Sequence, residues 1–314
     1  MTHDLVRQAA ERLKPFLDPT PVLRSDSLTR RLGSPVFIKC ELFQPSGSFK
    51  IRGALNAVLS LSPEEASRGV ITHSSGNHGT ALAVAAASRG LPCTVVMPQA
   101  SPQRKINAVR EAGARVVFSG PSVAEREEIC HGEMESTGAV FIHPSNDPGV
   151  IAGQGTAVLE LLTSQPSIRT VLVPVGGGGL LAGTILGIQA SGSETVVVAA
   201  EPARAADAYQ SLKTGQLVPV QAPDTIADGL RSQLGDVNFP IIRQGVGRIV
   251  LIEEDEIRQA LSFCVNELRL LAEPSSVVPL AALLTGKVER EEGPVGIILT
   301  GGNHALKDLL ALIS

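Results

Sequence analysis

The sequence predicts an α/β protein in which helices cover both faces of a mostly parallel sheet. Short apolar runs rich in β-branched residues alternate with helix-like stretches along almost the whole chain of 314 residues. Several runs, such as Val171–Val175 and Val196–Ala199, are apolar without alternation, which indicates strands that are buried on both faces. Alternating strands and helices with such strands are typical of a parallel sheet.

Each predicted element follows from its local pattern. The β-branched apolar runs predict strands at Val36–Cys40, Val70–Thr72, Thr94–Met97, Val116–Ser119, Val140–His143, Thr170–Val175, Val196–Ala199, Ile249–Ile252 and Val295–Leu299. The stretches between them predict helices at Asn77–Ser88, Ser101–Ala112, Ala124–Ser136, Gly153–Thr163, Leu180–Ala190, Glu254–Leu271, Ser275–Leu284 and Ala305–Leu312. Another helix is expected to start near Lys50.

The chain is long enough for two domains. No Gly/Ser-rich or Pro-rich linker marks a clean boundary, so we expect the chain to cross between the domains more than once. The break candidates are Ser60–Arg68 and His143–Gly149.

Composition excludes several classes of partner. The chain has 8 Phe, 1 Tyr and no Trp, a net charge of −4 and no basic block, which argues against nucleic acid. The longest apolar run, Ala81–Ala87, is too short to span a membrane, and the start lacks the pattern of a signal peptide. We therefore expect a cytoplasmic protein whose four cysteines, Cys40, Cys93, Cys130 and Cys264, are buried and reduced.

Four successive glycines, Gly176–Gly179, join a strand to a helix. Without side chains there, backbone N–H groups can converge on a phosphate, and the helix start adds partial positive charge. The same loop also fits the loose dinucleotide pattern Gly177-x-Gly179-x-x-Ala182, with Glu201 about 20 residues further on. The glycines alone leave two classes open, a dinucleotide enzyme and a protein that holds another phosphorylated cofactor.

Three further segments lie where a strand meets a helix or turn. Lys50 is near a helix start, where its amine would lose proton affinity, although from this segment alone a solvated surface lysine is favoured. The Ser, Asn and Gly residues of Thr72–Gly79 suit a carboxylate, or else only cap the next helix. Thr300–Asn303 follows the last strand, and a plain Gly-Gly turn is the alternative interpretation of it.

Together these segments resemble the fold-type II pyridoxal-phosphate enzymes, and within them the threonine/serine dehydratase and serine racemase group. The resemblance runs through Lys39–Ala57, Thr72–Leu82, Val140–Thr156, Val171–Gly183, Ala199–Pro202, Thr225–Gly229, Glu273–Pro274 and Thr300–Asn303. It implies a tryptophan synthase β-like fold of two three-layer α/β/α lobes with mostly parallel sheets. Residues 1–59 and 147–314 would form a large discontinuous domain, and residues 60–146 a small inserted one. The dinucleotide interpretation explains only one of these segments.

The resemblance implies pyridoxal 5'-phosphate as the cofactor. Lys50 would bind it covalently and later move the proton on the substrate Cα. The other implied cofactor residues are Phe49 and Gly229 on the ring faces, Asn77 at the 3-oxygen, Gly176, Gly177, Gly178 and Gly179 at the phosphate, and Thr300 at the pyridine nitrogen. The group usually has Ser at the position of Thr300. Because either hydroxyl is neutral, it cannot keep that nitrogen protonated, which favours β-elimination over transamination.

The same resemblance implies a small amino-acid substrate. Its contacts would come from Ser74, Ser75, Gly76 and His78 around the carboxylate, with Arg126 and Ser232 nearby. The predicted function is an ammonia-lyase that converts L-threonine or L-serine to 2-oxobutanoate or pyruvate and ammonia. Serine racemase and threo-3-hydroxyaspartate dehydratase are the alternatives, and a dinucleotide-dependent oxidoreductase is a distant one. Ser75 is a candidate second catalytic base, because its racemase counterpart can deliver a proton to the opposite face of Cα.

Glu201, Ala205 and Asp207 match the metal site of this group, with two carboxylates and one backbone carbonyl that suit Mg²⁺ or Ca²⁺. A homodimer is the family expectation. Ser145 replaces the Asn of the racemase at a nucleotide site, which weakens the case for nucleotide binding here. Because the chain ends soon after Thr300–Asn303, no C-terminal regulatory domain is expected.

Overall fold

Two sheets carry the fold in the computed structural model, which describes residues 1–74, 76–221, 223–288 and 292–313. Their strands are β1 (Val22–Arg24), β2 (Val36–Cys40), β3 (Val70–His73), β4 (Cys93–Pro98), β5 (Arg115–Ser119), β6 (Val140–Phe141), β7 (Thr170–Pro174), β8 (Val196–Pro202), β9 (Arg248–Ile252) and β10 (Val295–Leu299).

Fourteen α-helices occur among the described residues. They are α1 (Asp4–Leu13), α2 (Asp26–Leu32), α3 (Lys50–Leu59), α4 (Pro63–Arg68), α5 (Asn77–Ser88), α6 (Gln103–Glu111), α7 (Val123–Thr137), α8 (Pro148–Ser164), α9 (Gly179–Ser191), α10 (Asp207–Thr214), α11 (Phe239–Gly245), α12 (Glu254–Phe263), α13 (Pro274–Leu284) and α14 (Leu306–Ile313). Short 3-10 helices lie at Glu41–Phe43, Ala203–Ala205 and Asp228–Leu230, and a π-helix at Cys264–Leu268. In the described part of the chain, no helix combines the length and apolar character needed to cross a membrane.

The larger sheet has the strand order β1-β2-β10-β7-β8-β9, and every pair is parallel except β1 with β2. Alternate residues of β7 enter different cores: Val171 and Val173 pack in the cluster that contains α9, and Leu172 packs in the cluster that contains α13. Since both faces are buried, the strand carries no polar alternation.

The smaller sheet has the order β5-β4-β3-β6 and is entirely parallel. Val70 of β3 packs in one core cluster and its neighbour Ile71 in another, so this sheet too is covered on both faces. The predicted α/β class with parallel-rich sheets is confirmed. All four strands lie within residues 60–146, the range predicted for the inserted domain, although the domain limits themselves stay a prediction.

Candidate active site

The predicted site segments follow the carboxyl ends of strands. Lys50 begins α3 after β2, Thr300 follows β10 and Gly176–Gly179 follow β7, so three neighbouring strands of the larger sheet deliver them to one edge. Ser74 follows β3 of the smaller sheet, and Asn77 begins α5. Ligand sites in parallel α/β sheets form at such carboxyl edges.

The Lys50 amine is partly desolvated. Its Nζ donates to the carbonyl oxygen of Pro144 at 2.8 Å and lies 5.2 Å from the centroid of the Phe49 ring. Burial lowers the pKa of Lys50 to about 8, against an opposing effect of the Glu273 carboxylate. About one amine in ten is then neutral at pH 7, so Lys50 can act as a nucleophile near neutral pH.

The four-glycine loop has the form of an anion cradle. A Cβ on Gly179 would lie 2.8 Å from the backbone oxygen of Ser145, and one on Gly176 would lie 2.7 Å from Cα of Leu230. Gly178 has φ +80°, which side-chain-bearing residues rarely adopt. None of the N–H groups of Gly176–Gly179 donates to a described residue. Free N–H groups at the start of a 13-residue helix fit a phosphate.

A buried amide holds this loop in place. Asn238 is fully buried, and its Nδ2 donates to the carbonyl oxygen of Gly177 at 2.8 Å and to that of Ser145 at 3.2 Å. Ser232 also lies beside the loop, since its Cβ would be 3.5 Å from a Cβ on Gly177. The structure therefore brings Ser232 to the predicted phosphate site.

Asn77 is held by two partners from distant parts of the chain. Its Nδ2 donates to Oε1 of Glu273 at 2.8 Å, and its Oδ1 accepts from Nδ2 of Asn303 at 3.0 Å. The second Nδ2 hydrogen of Asn77 is left to donate to a ligand oxygen, as predicted for the cofactor 3-oxygen. Burial raises the pKa of Glu273 to about 7, and the Asp228 carboxylate adds to this effect. The sequence analysis quoted Glu273 but gave it no role.

The first turn of α13 binds two other residues that the family resemblance places around the cofactor ring. Oγ of Ser275 accepts from the N–H of Gly229 at 2.9 Å, and Oγ of Ser276 accepts from the N–H of Thr300 at 2.6 Å. The N–H of Phe49 in turn donates to the carbonyl oxygen of Thr300 at 2.8 Å. These contacts link the segments of Phe49, Gly229 and Thr300, the three residues that the family resemblance places around the ring.

The predicted carboxylate loop opens α5. The N–H of Gly76 donates to Oγ of Ser74 at 3.3 Å, and Ser75 lies outside the described residues. His78 is buried, with Nε2 3.1 Å from the carbonyl oxygen of Ile142, and burial lowers its pKa to about 3. The imidazole is therefore neutral, and its Nδ1 has no partner among the described residues.

Arg126 lies on α7 beside His73. Among the described residues its buried Nε has no hydrogen-bond partner. The pKa of His73 is lowered by burial and by the nearby Arg126 charge. His73 stacks on Phe141 with ring centroids 5.4 Å apart and meets His143 edge-on at 6.2 Å. Burial lowers the pKa of His143 to about 4, and the neighbouring His73 and Lys50 add to this effect.

An ion pair that the sequence did not suggest joins α6 to the 3-10 helix Asp228–Leu230. Nζ of Lys105, on α6, pairs with Oδ2 of Asp228 at 2.5 Å, next to Gly229. The two residues are 123 positions apart and carry no shared local pattern.

The predicted metal ligands lie at the end of β8 and in the segment that follows it. Both Oδ atoms of Asp207 are buried without a partner among the described residues, while the Glu201 oxygens accept from the N–H groups of Ala208 and Tyr209 at 2.8 Å. Ala205 is buried in the 3-10 helix between them. Burial raises the pKa of Glu201 to about 8 and that of Asp207 to about 6. Two desolvated carboxylates, of which that of Asp207 has oxygens without a partner among the described residues, fit a hard divalent cation.

We expect a chelator to destabilise the protein. A cation whose free concentration is 100 times its dissociation constant adds about 2.7 kcal/mol to the free energy of unfolding. EDTA should lower the melting temperature, and Mg²⁺ or Ca²⁺ should restore it. In Asp207→Asn the melting temperature should no longer respond to either treatment. An unchanged melting temperature of the unmodified protein in EDTA would remove the metal from the account.

The pKa of Lys50 predicts how covalent capture of pyridoxal phosphate depends on pH. The neutral amine attacks, so the capture rate of apoprotein should rise about tenfold per pH unit and level off above about pH 8. Glu273→Gln removes a negative charge that favours the protonated amine, and the midpoint should therefore move to lower pH. Absorbance after mixing measures the rate. A midpoint that stays or rises in Glu273→Gln would contradict the assigned coupling.

Comparison with known proteins gives a single family. A family model described as "Pyridoxal-phosphate dependent enzyme" matches residues 13–301. A serine racemase of Arabidopsis thaliana is 42% identical over 309 residues, covering 97% of this chain and 93% of the racemase. A beta-hydroxyaspartate dehydratase of Paracoccus denitrificans is 44% identical, covering 98% of both chains. The crystal structure of a T.th. threonine deaminase superposes with a TM-score of 0.92 at 38% identity, covering 98% of this chain and 99% of that one.

Proposed function

We propose that this chain, which belongs to the pyridoxal-phosphate dependent enzyme family, dehydrates and deaminates L-threonine and L-serine. The products are 2-oxobutanoate or pyruvate, and the water lost in elimination returns in hydrolysis, so each reaction is a net release of ammonia. The observation that carries the proposal is the Lys50 amine, whose pKa is lowered to about 8, on the same sheet edge as the four-glycine cradle.

The cofactor, when bound, supplies an electron-withdrawing system that acidifies the Cα proton of an attached amino acid. The residues of this chain provide the rest. The Lys50 amine accepts the Cα proton, and the Pro144 carbonyl oxygen, at 2.8 Å, orients that amine. The N–H groups at the start of α5, with Ser74 and Gly76, hold the substrate carboxylate.

Thr300 favours elimination among the reactions open to this family. Its hydroxyl is neutral, so it does not hold a proton on the pyridine nitrogen. Less of the negative charge at Cα is then withdrawn into the ring, and expulsion of the β-hydroxyl becomes the faster outcome. Thr300 is buried and fixed through its N–H by Ser276, which supports a stable orientation.

A second candidate is dehydration of 3-hydroxyaspartate. The guanidinium charge of Arg126 is felt by His73, whose ring meets that of His143, and the Arg126 Nε has no partner among the described residues. A second substrate carboxylate would satisfy that donor. The 44% identity with a beta-hydroxyaspartate dehydratase also supports this candidate.

A panel of L-threonine, L-serine, D-serine and threo-3-hydroxyaspartate tests both candidates, with 2-oxo acid and product chirality as readouts. We expect 2-oxo acid from L-threonine or L-serine in the unmodified enzyme. If 3-hydroxyaspartate is the preferred substrate, Arg126→Gln should lower its kcat/KM about tenfold or more while serine turnover changes little. No 2-oxo acid from any of the four would overturn the proposal.

Racemisation is tested separately through Ser75. Ser75→Ala should abolish D-serine formation from L-serine if this hydroxyl is the second base, and unchanged D-serine formation would refute that role.

We include in the proposal the homodimer and the cytoplasmic location that the sequence predicts.

A further inference from the structure

A buried ionic cluster lies beneath α3, away from the proposed site. It consists of Lys39, Glu41, Arg52 and Glu160, two cations and two anions, and is called the Arg52 cluster below. The side chains of Lys39, Glu41 and Arg52 are 0%, 0% and 1% exposed, and that of Glu160 is 24% exposed. None of these residues takes part in the proposed chemistry.

Arg52 uses all five of its N–H donors in this cluster. Its Nε and Nη2 bind the Glu41 carboxylate at 2.6 and 2.8 Å, and its Nη1 and Nη2 bind the Glu160 carboxylate at 2.7 Å each. The remaining Nη1 hydrogen donates to Oγ1 of Thr156 at 3.1 Å. A guanidinium has five donors in a planar fork, so every one is matched.

The acceptors of this fork are themselves fixed. Oγ1 of Thr20 donates to Glu41 at 2.6 Å, and Nε2 of Gln44 donates to the same carboxylate at 3.2 Å. Nζ of Lys39 donates to Glu160 at 2.5 Å. The cluster therefore ties α3 to β2, to the Glu41–Phe43 turn and to α8 through directional bonds.

Stability alone is a weak reason for such a cluster. Burying charges costs several kcal/mol per ion, and well-packed apolar residues of similar volume are often as stable or more stable. Apolar packing, however, tolerates sliding and rotation of one helix on another, whereas five planar hydrogen bonds fix both. The arrangement is suited to geometric precision.

The position of Lys50 depends on that geometry. Lys50 and Arg52 are two residues apart on α3, about 3 Å along the axis and on nearly opposite faces. Next to Arg52, α3 crosses α8 in direct backbone contact: a Cβ on Gly153 would lie 2.4 Å from the carbonyl oxygen of Arg52. The loop that leads into α8 carries Pro144, the acceptor of the Lys50 amine.

We propose that the Arg52 cluster positions Lys50, by fixing the translation and rotation of α3 on α8 so that the amine meets both Pro144 and the incoming cofactor aldehyde. Arg52 is thus a positioning residue, since it acts through Lys50 and touches no reacting atom. The inference rests on the part of the proposed function that makes Lys50 the attachment site.

Stopped-flow capture of pyridoxal phosphate by apoprotein tests this without any amino-acid substrate. Arg52→Lys keeps the charge but loses the planar fork, and the capture rate per folded molecule should fall between about tenfold and 100-fold. The pH midpoint of capture should stay near 8, since the charge is conserved. The control is Arg115→Lys. It alters the exposed ion pair between Arg115 on β5 and Glu133 on α7, and this variant should capture pyridoxal phosphate at the original rate.

Melting temperatures, measured in parallel, distinguish an effect on the position of Lys50 from a general loss of stability. A lower melting temperature with an unchanged capture rate well below melting would overturn the proposal. If Arg52→Lys does not fold, Glu160→Gln serves in its place, because this partly exposed residue accepts only two of the five hydrogen bonds that Arg52 donates. An unchanged capture rate in Glu160→Gln overturns the proposal equally. Failure of the substrate panel would leave this result intact, so the two proposals fail separately.

Discussion

Replacing Lys50 by Ala is expected to abolish both covalent cofactor binding and turnover. The purified variant should lack the visible absorption band of the covalently bound cofactor, and 2-oxo acid formation should fall to the background. The reason is that the amines of two other lysines are already engaged: that of Lys39 donates to Thr20 and Glu160, and that of Lys105 pairs with Asp228.

Lys213→Ala provides the control, since Lys213 is exposed on α10 and should leave band and activity unchanged. Near-normal turnover by Lys50→Ala would remove the basis for the whole mechanism.

Replacing Gly178 by Ala is expected to weaken cofactor binding about 100-fold or more. The φ of +80° costs an alanine about 1–2 kcal/mol, and its Cβ would lie 2.6 Å from Cδ2 of Leu234 and 2.7 Å from Oδ1 of Asn238. The loop must shift, which misdirects its N–H groups. Each charge-assisted hydrogen bond to the phosphate is worth about 1.5–3 kcal/mol, so losing two gives the stated effect. Titration of apoprotein with pyridoxal phosphate measures it.

Gly192→Ala is the matched control at the other end of the same helix. Gly192 caps α9 with φ +72°, and nothing lies within 4 Å of an added Cβ. It should lower the free energy of unfolding by about 1–2 kcal/mol without changing the dissociation constant of the cofactor. Equal affinities for Gly178→Ala and the unmodified protein would contradict the assignment of the loop.

Elements whose pattern is local were predictable. The predicted limits of Val36–Cys40, Val295–Leu299 and Asn77–Ser88 agree with the structure. The two strands are mainly apolar runs, and the helix lies between a glycine and the polar residue Ser88, so each pattern can be seen in the sequence itself. The site loops were predictable for the same reason, since each is a short segment at a strand end.

The limits of two other helices were not predicted correctly. Helix α8 begins at Pro148, five residues before the predicted Gly153, because Asp147 caps it and Pro suits its first turn. Gly153 and Gly155 lie inside the helix where α3 and α9 cross it closely. The predicted helix Glu254–Leu271 stops at Phe263 and continues as a π-helix to Leu268.

The contacts that organise the site were the least predictable part. Asn77 and Glu273 are 196 positions apart, and Lys105 and Asp228 are 123 apart. No local spacing reports such pairs, since only the folded arrangement of the two sheets brings them together. The family resemblance supplied the roles of Asn77 and Gly229, but not the residues that hold them.

Borohydride reduction of the cofactor-loaded protein tests the central claim most directly, because it converts the imine bond to a stable secondary amine. The chain has seven lysines, so peptide mass spectrometry can place the pyridoxyl group without ambiguity. The account predicts a single modified peptide, labelled at Lys50. A label at any other lysine, or no label in protein that holds the cofactor, would contradict it.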